Sequence, residues 1–166
     1  MTAVHCLELA TGGAIRAPHA DDAPRLVAMF ERCSPATRYG RFLAPVAEFP
    51  ARHLADIVDP APGQWSWIVD RDPGAVVGVA SLFRTGLRTA AVGLLVEDAA
   101  QRHGFGTGLL DLMVATALDV GVTTLEATTL AGSHHVRRML MRVGTMTVVT
   151  RGIEYEVRVS LAGQDW

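Results

Sequence analysis

The stretch that decides the fold runs Ala90-Ala91-Val92-Gly93-Leu94-Leu95-Val96, followed by Glu97-Asp98-Ala99-Ala100-Gln101-Arg102-His103-Gly104-Phe105-Gly106-Thr107-Gly108. The first seven residues form a continuous apolar run, as expected of a strand covered on both faces. Beyond the glycines, Leu109, Leu110, Met113, Val114, Ala117 and Leu118 recur at helical spacing, and Gly121 ends that helix. Thr123 to Leu130 reads as a further strand. Strand 90–96, helix 105–120 and strand 123–130 thus make a crossover unit. Its glycines let the backbone turn sharply and come close to a ligand. The helix start offers unpaired N–H groups and a positive dipole end, a combination suited to phosphate. Arg102 adds a charge that can screen a diphosphate. Taken alone, the segment is better explained as an ordinary strand-to-helix turn. The spacing of Gly104, Gly106 and Gly108 matches neither a GxGxxG fingerprint nor a GxxxxGK[ST] loop.

Working outward, Gly13 to Ala17 reads as a short strand. Asp21 and Asp22 offer N-caps and Pro24 suits a first helical turn, so residues 22–33 are expected to be a helix, ended by Ser34-Pro35. Residues 46–57 read as a second short helix, and Asp59 to Gly63 as a loop. Trp65 to Asp70 and Val76 to Phe83 are apolar runs joined by the turn sequence Arg71-Asp72-Pro73-Gly74, a predicted hairpin. Late in the chain, residues 133–143 are expected to be a helix stopped by Gly144, and 145–150 a strand. From Ile153 to Leu161 apolar and polar residues alternate cleanly. That last strand offers an edge for pairing, and so a route to a homodimer. The fold class is α+β around one sheet, in a single domain over 13–163 with an N-terminal extension at 1–12.

Bulk composition narrows the function classes. At 166 residues, 49% of them apolar, the chain can bury one sizeable core. Fifteen basic against 17 acidic residues, with no basic block, argue against nucleic acid as a partner. No apolar run reaches membrane-spanning length, and Met1 to Thr11 lacks the pattern of a secretory signal, so no membrane role and a cytoplasmic location are expected. Cys6 and Cys33 make no disulfide framework and read as small buried hydrophobes. No His/Cys/Asp/Glu grouping has metal-ligand spacing.

The segment Gln101 to Gly106 resembles motif A of the GNAT superfamily of acetyltransferases, which reads Q/R-x-x-G-x-G/A at a strand-to-helix junction. Gly13 to Arg16 with Asp21-Asp22 resembles the family's opening strand and helix, and Val77-Gly78-Val79-Ala80 its third strand. Ser34 to Phe42 is similar to a segment of domains related to bacterial protein-lysine acetyltransferases. The resemblance spans roughly residues 13 to 161. It implies a mostly antiparallel sheet of six to seven strands with about four helices, split between the fourth and fifth strands, 90–96 and 123–130. It also implies acetyl-coenzyme A as cosubstrate, an amine acceptor (a small molecule or a protein lysine), and direct attack on the thioester. The backbone of Leu94 and Val96 would hold the pantetheine arm, and Gln101, Arg102, His103, Gly104, Phe105, Gly106 and Thr107 the diphosphate.

Three positions depart from that pattern. The glutamate that commonly serves as base ten residues before the motif's Gln is Ala91, the Asn that opens the later helix is Ser133, and the Tyr that protonates the thiolate is Leu140. Ser133 can still hydrogen-bond the cosubstrate. Either other groups do the chemistry, or the domain binds acyl-coenzyme A without turnover. Glu126, mid-strand, reads equally as a base or as a solvent-facing carboxylate. His134, at a helix start where the dipole disfavours its protonation, is a second candidate base, although an exposed first-turn histidine is the simpler reading. Glu97 and Asp98 are expected to cap the loop. Arg137, Arg138 and Arg142 form a basic helix face that reads as solvated surface or as a contact for the adenosine 3′-phosphate.

Overall fold

The computed structural model describes residues 6–71 and 74–161. In chain order the strands are β1 (Leu7–Glu8), β2 (Ala14–Arg16), β3 (Gln64–Arg71), β4 (Ala75–Arg84), β5 (Thr89–Val96), β6 (Thr124–Leu130), β7 (Gly144–Arg151) and β8 (Glu154–Leu161). The helices are α1 (Ala23–Arg32), α2 (Pro35–Phe42), α3 (Ala51–Val58), α4 (Phe105–Asp119) and α5 (His134–Met141). The strands form one sheet in the order β1-β2-β3-β4-β5-β6-β8-β7. Every neighbouring pair is antiparallel except β5 and β6.

The exception positions the site. β5 and β6 pair only at Thr89 with Thr124, Ala90 with Leu125 and Ala91 with Glu126. Beyond that point β5 stays with β4 as far as Val96, while β6 stays with β8 as far as Leu130. The two strands therefore diverge and leave unpaired backbone along the gap. Their parallel direction is what the α4 crossover requires.

Apolar residues cover both sheet faces. On one, Phe105, Leu109, Leu110 and Met113 of α4 pack with Val69, Leu82, Leu125, Val157 and Val159. On the other, Leu26, Met29 and Phe30 of α1 and Ile57 of α3 pack with Ile68, Val76, Val79 and Leu95. α4 buries Phe105, Leu109, Leu110, Leu112, Met113 and Ala117 along one side and exposes Asp111, Ala115 and Asp119 on the other. Phe30, Phe42 and Phe49 meet with ring centroids 5.2–6.1 Å apart and seat α2 and α3 on this second face.

Several sequence expectations change. The sheet has eight strands because Leu7–Glu8, within the expected extension, pairs with β2. Ser34-Pro35 ends α1 but also starts α2: the Ser34 side chain accepts from the Thr37 N–H and Pro35 fills the first helical position. The expected helix at 46–57 is α3, delayed to Ala51 by Pro50. Gly144 belongs to β7. β8 lies between β6 and β7, so it is no edge; β7 is, with Val148 and Val149 exposed. Cys6 is exposed, whereas Cys33 is buried and its thiol is pushed up to about 11, chiefly by burial. Trp67 is core and Trp65 packs against it. Of the hairpin turn, Asp72 and Pro73 lie outside the described residues.

Asp22 stands at the N-cap position of α1 without a side-chain cap bond, and its carboxylate anchors the helix start to the sheet instead. Its carboxylate accepts from both Nη groups of Arg16, from Arg25 and from the His19 N–H. Hydrogen bonding from Arg16 is the largest influence holding it well below the usual carboxylate range. The network ties α1 to β2, and through Asp70 to β3. Among the described residues, no helix is long and apolar enough to cross a membrane.

Candidate functional site

A cleft of about 970 Å³ opens where β5 and β6 part. Its walls come from β5 (Val92 to Val96), the loop and first turn before Leu110, the far half of β6, α5 and one side of α2. The Glu97 N–H donates to the Val77 carbonyl, 3.0 Å, which sets the alternation along β5. Residues 91, 93 and 95 therefore turn their backbone groups to β4, and Val92, Leu94 and Val96 turn theirs into the gap. Past Ala91 those groups have no strand partner.

At the end of the gap the chain leaves β5 and starts α4. Gly104 is the N-cap of α4 with φ 85°, a left-handed conformation natural to glycine. Arg102 is also left-handed, φ 64°. The first backbone hydrogen bond into the helix runs from the Gly108 N–H to the Gly104 carbonyl, 3.0 Å. The N–H groups of Phe105, Gly106 and Thr107 precede it and find no acceptor among the described residues. Gly106 and Thr107 line the cleft beside Gln101, Arg102 and Gly104.

Two motif residues stand apart from the cleft wall. Phe105 is 1% exposed and anchors the helix start in the core, so only its backbone is available. His103 is exposed and stacks on the Phe105 ring, centroids 6.2 Å apart. Gln101 turns inward: its side-chain amide donates to the Val96 carbonyl, 3.0 Å, and to Thr37 Oγ1, 3.3 Å. It thus braces the loop against β5 and α2, and takes up the Val96 carbonyl.

Glu97 and Asp98 do not cap the loop; they fasten it to the helices on the other face. Glu97 accepts from Arg32 Nε at 2.7 Å. Asp98 accepts from the Ser34 N–H and hydroxyl, 2.8 and 2.7 Å, and from the Thr37 hydroxyl, 2.9 Å. Burial alone would raise the Asp98 pKa, but these hydrogen bonds outweigh it and hold it low.

The expected chemical residues are less concentrated. Glu126 is the register partner of Ala91 at the last rung before the gap. Neighbouring positions on paired strands share a face, so its carboxylate stands one strand away from where the family's base would be. It is not on the cleft wall. It accepts from Arg158, 2.6 and 3.1 Å, and from the Thr85 hydroxyl, 2.9 Å, and Arg158 is the main reason its pKa is lowered. His134 lies outside the cleft and its Nδ1 meets Arg137 Nη2 at 2.6 Å; the cleft-facing histidine is His135. Leu140 is buried and Ser133 lines the cleft. Arg138 and Arg142 line it too, whereas Arg137 bonds to the Ala131 carbonyl and covers the Tyr155 ring.

One cleft residue is not among the expected site residues. Arg41 of α2 reaches the wall opposite α4, against Gly93, with its Nη2 2.9 Å from His53 Nε2. A glycine inside a strand often marks such a close approach, and Gly93 was the available hint.

The model of the acetyltransferase (GNAT) domain family matches residues 14–146. Among solved structures, the chain is similar to the GNAT domain of S. lividans PAT at 22% identity, with a TM-score of 0.81 and 90% of each chain covered. It is similar to yncA, a putative acetyltransferase from Salmonella typhimurium described with its cofactor acetyl-CoA, at 17% identity, TM-score 0.72, covering 93% of this chain and 97% of that one. It is also similar to a cAMP-binding acyltransferase from Mycobacterium smegmatis at 24% identity and TM-score 0.62; it is covered over 96% of its length but spans 48% of that protein. At these identities the likeness to solved structures is one of fold. None of the curated proteins compared with the chain matches it.

Proposed function

We propose, from the premise that this chain belongs to the GNAT acetyltransferase family, that it moves an acetyl group from acetyl-coenzyme A to an amine by direct attack on the thioester. The observation that carries this reading is the parted β5–β6 pair ending on the unpaired N–H groups of α4. The outward backbone of Leu94 and the N–H of Val96 suit an extended amide-bearing arm added as a strand would be. The N–H groups at 105–107, with Arg102, suit a diphosphate, and Ser133 and Arg138 stand on the facing wall.

The chain's tasks are orientation, proton removal and stabilisation of the oxyanion. Gap-facing N–H groups of β5 serve the last of these. The acceptor approaches from the α2 side of the sheet, opposite α4. For the proton, Glu126 is the carboxylate standing beside the Ala91 position on that face. Held ionised by Arg158, it is a weak base and works on an amine that is already partly neutral or releases its proton through water. His134, engaged by Arg137, takes no part. A second reading, binding without turnover, is favoured by Leu140, a buried hydrocarbon where an acid would protonate the departing thiolate.

Acetyl-coenzyme A is expected to raise the melting temperature of the protein, and a panel of amines to release free thiol from it. No thermal shift at saturating ligand refutes the function. A shift without thiol release for any amine selects the second reading. Glu126→Gln is expected to slow turnover about tenfold or more at neutral pH with the acetyl-coenzyme A affinity unchanged; an unaltered rate removes Glu126 as base.

A further inference from the structure

Arg41 is the one cleft-lining arginine packed against the sheet on the acceptor side. Six arginines pair with carboxylates among the described residues: Arg16, Arg25, Arg32, Arg142, Arg151 and Arg158. Arg41 lies over β5 in a place where burial pushes its pKa down to about 10, yet no carboxylate among the described residues lies within ion-pair range. Its hydrogen-bond partner among the described residues is a histidine nitrogen, His53 Nε2. A guanidinium carries five N–H donors in a planar fork, so most of its hydrogen-bonding capacity is unspent.

The surroundings hold the fork in place. The Phe42 ring lies 5.0 Å below the guanidinium carbon. His53 is itself fixed among Phe42, Phe49 and Phe83. Burial and then the Arg41 charge push its pKa down to about 4, so it is neutral and accepts from Arg41. The guanidinium sits so close to Gly93 that a Cβ there would stand 2.7 Å from Arg41 Cζ. A side chain at 93 and this position of Arg41 are incompatible.

The location says which molecule would meet the free side of the fork. Gly93 shares its face with Leu95, which packs under α1 and α3, whereas Leu94 faces α4. It lies two residues past the last β5–β6 rung, and three before the strand ends in the phosphate-suited loop, about 10 Å away at strand rise. Arg41 is therefore at the reacting end of the gap, on the side away from α4.

We infer that Arg41 receives a carboxylate of the acceptor, so that the acceptors are compact amines bearing an acid group, of amino-acid type, with His53 as the positioning residue. This rests on the acetyltransferase reading and narrows it. A carboxylate engaged by both arms of the fork satisfies the unspent donors and offsets a charge that is otherwise held without a counter-ion.

The experiment compares amino acids with their carboxamides, which keep the amine and lose the charge. Thiol release from acetyl-coenzyme A is measured for both series, and calorimetric binding of both to the protein saturated with coenzyme A. The acids are expected to be favoured by about tenfold to a hundredfold in kcat/KM. The preference should vanish in Arg41→Met, fall in Arg41→Lys, and fall in Gly93→Ala, which displaces the guanidinium without removing it. All three variants should keep the acetyl-coenzyme A thermal shift of the wild type. Equal handling of acids and amides in both assays overturns the inference and leaves the function standing while that shift persists. A preference for succinyl- over acetyl-coenzyme A with uncharged amines overturns it too, since the carboxylate then belongs to the donor. Loss of the thermal shift in the wild type overturns the acetyltransferase reading itself.

Discussion

The two ends of the β5–β6 gap are made of different materials. At the α4 end the groups on offer are backbone N–H groups, and the side chains beneath them serve mainly as ballast: Phe105 is buried and Gln101 is a brace. At the α2 end the group on offer is a side chain, the Arg41 guanidinium lying against Gly93, with His53 of α3 bonded behind it. A backbone site survives any substitution that preserves its dihedral angles. A side-chain site can be lost by removing a single guanidinium, and it can be retuned as easily. The first suits a ligand that is the same for every member of a fold; the second suits a ligand that differs.

If the ends are separate devices, what couples them should be small and identifiable. Asp98 is that link, since one carboxylate on the α4 side holds the N-terminus of α2 through Ser34 and Thr37. Asp98→Ala removes three hydrogen bonds. At about 1 kcal/mol net for each of the stronger two, both the acetyl-coenzyme A Kd and the acceptor KM should rise, by up to about thirtyfold. Titration calorimetry and steady-state kinetics check this. A change confined to one end would show that α2 is held by its packing on Phe30 and Phe49 instead.

Gly104→Ala breaks the comparison on the backbone side alone. A Cβ at this position meets nothing within 4 Å, so no clash is involved. The cost is the left-handed φ of 85°, about 1–2 kcal/mol for an alanine. Acetyl-coenzyme A affinity should fall about five- to thirtyfold with the acceptor KM unaltered. An equal loss at both ends would mean that the loop's geometry also sets the position of Arg41.

The same division explains what the sequence disclosed. The crossover unit was legible because it is local: an apolar run, glycines and a helical repeat within forty residues. The open backbone at the helix start follows from that locality. The acceptor wall was not legible, because Arg41, His53 and Gly93 lie on three elements and meet only through the packing of α2 and α3. α2 itself was not expected, since Ser34-Pro35 reads as the end of α1 and no residue from Pro35 to Phe42 is fully buried. The placement of Glu126 was half visible. Its strand could be read, but its pairing with Ala91 depends on the register of two strands that touch over only three residues. β1 escaped for a similar reason: two residues are too short for any periodicity to show.

The smallest expected effect tests the side-chain end through pH. His53 has a folded pKa near 4, against about 6.5 for an unstructured histidine, because burial and then Arg41 oppose its charge. Above pH 6.5 both folded and unfolded states leave it neutral and it adds no pH dependence. Between 6.5 and about 4 the unfolded chain takes up a proton that the folded chain refuses, so stability falls as pH falls. The slope from one such group is at most about 1.4 kcal/mol per pH unit, and partial exposure of the ring reduces it. His53→Gln removes this component. Melting temperatures recorded from pH 7 to pH 5 should therefore decline less steeply in the variant than in the wild type, while the acetyl-coenzyme A thermal shift at pH 7 is the same in both. Parallel declines would show that His53 titrates as an exposed histidine does. The aromatic enclosure would then not be what holds the Arg41 fork over Gly93, and α2 would have to position the arginine by its own backbone.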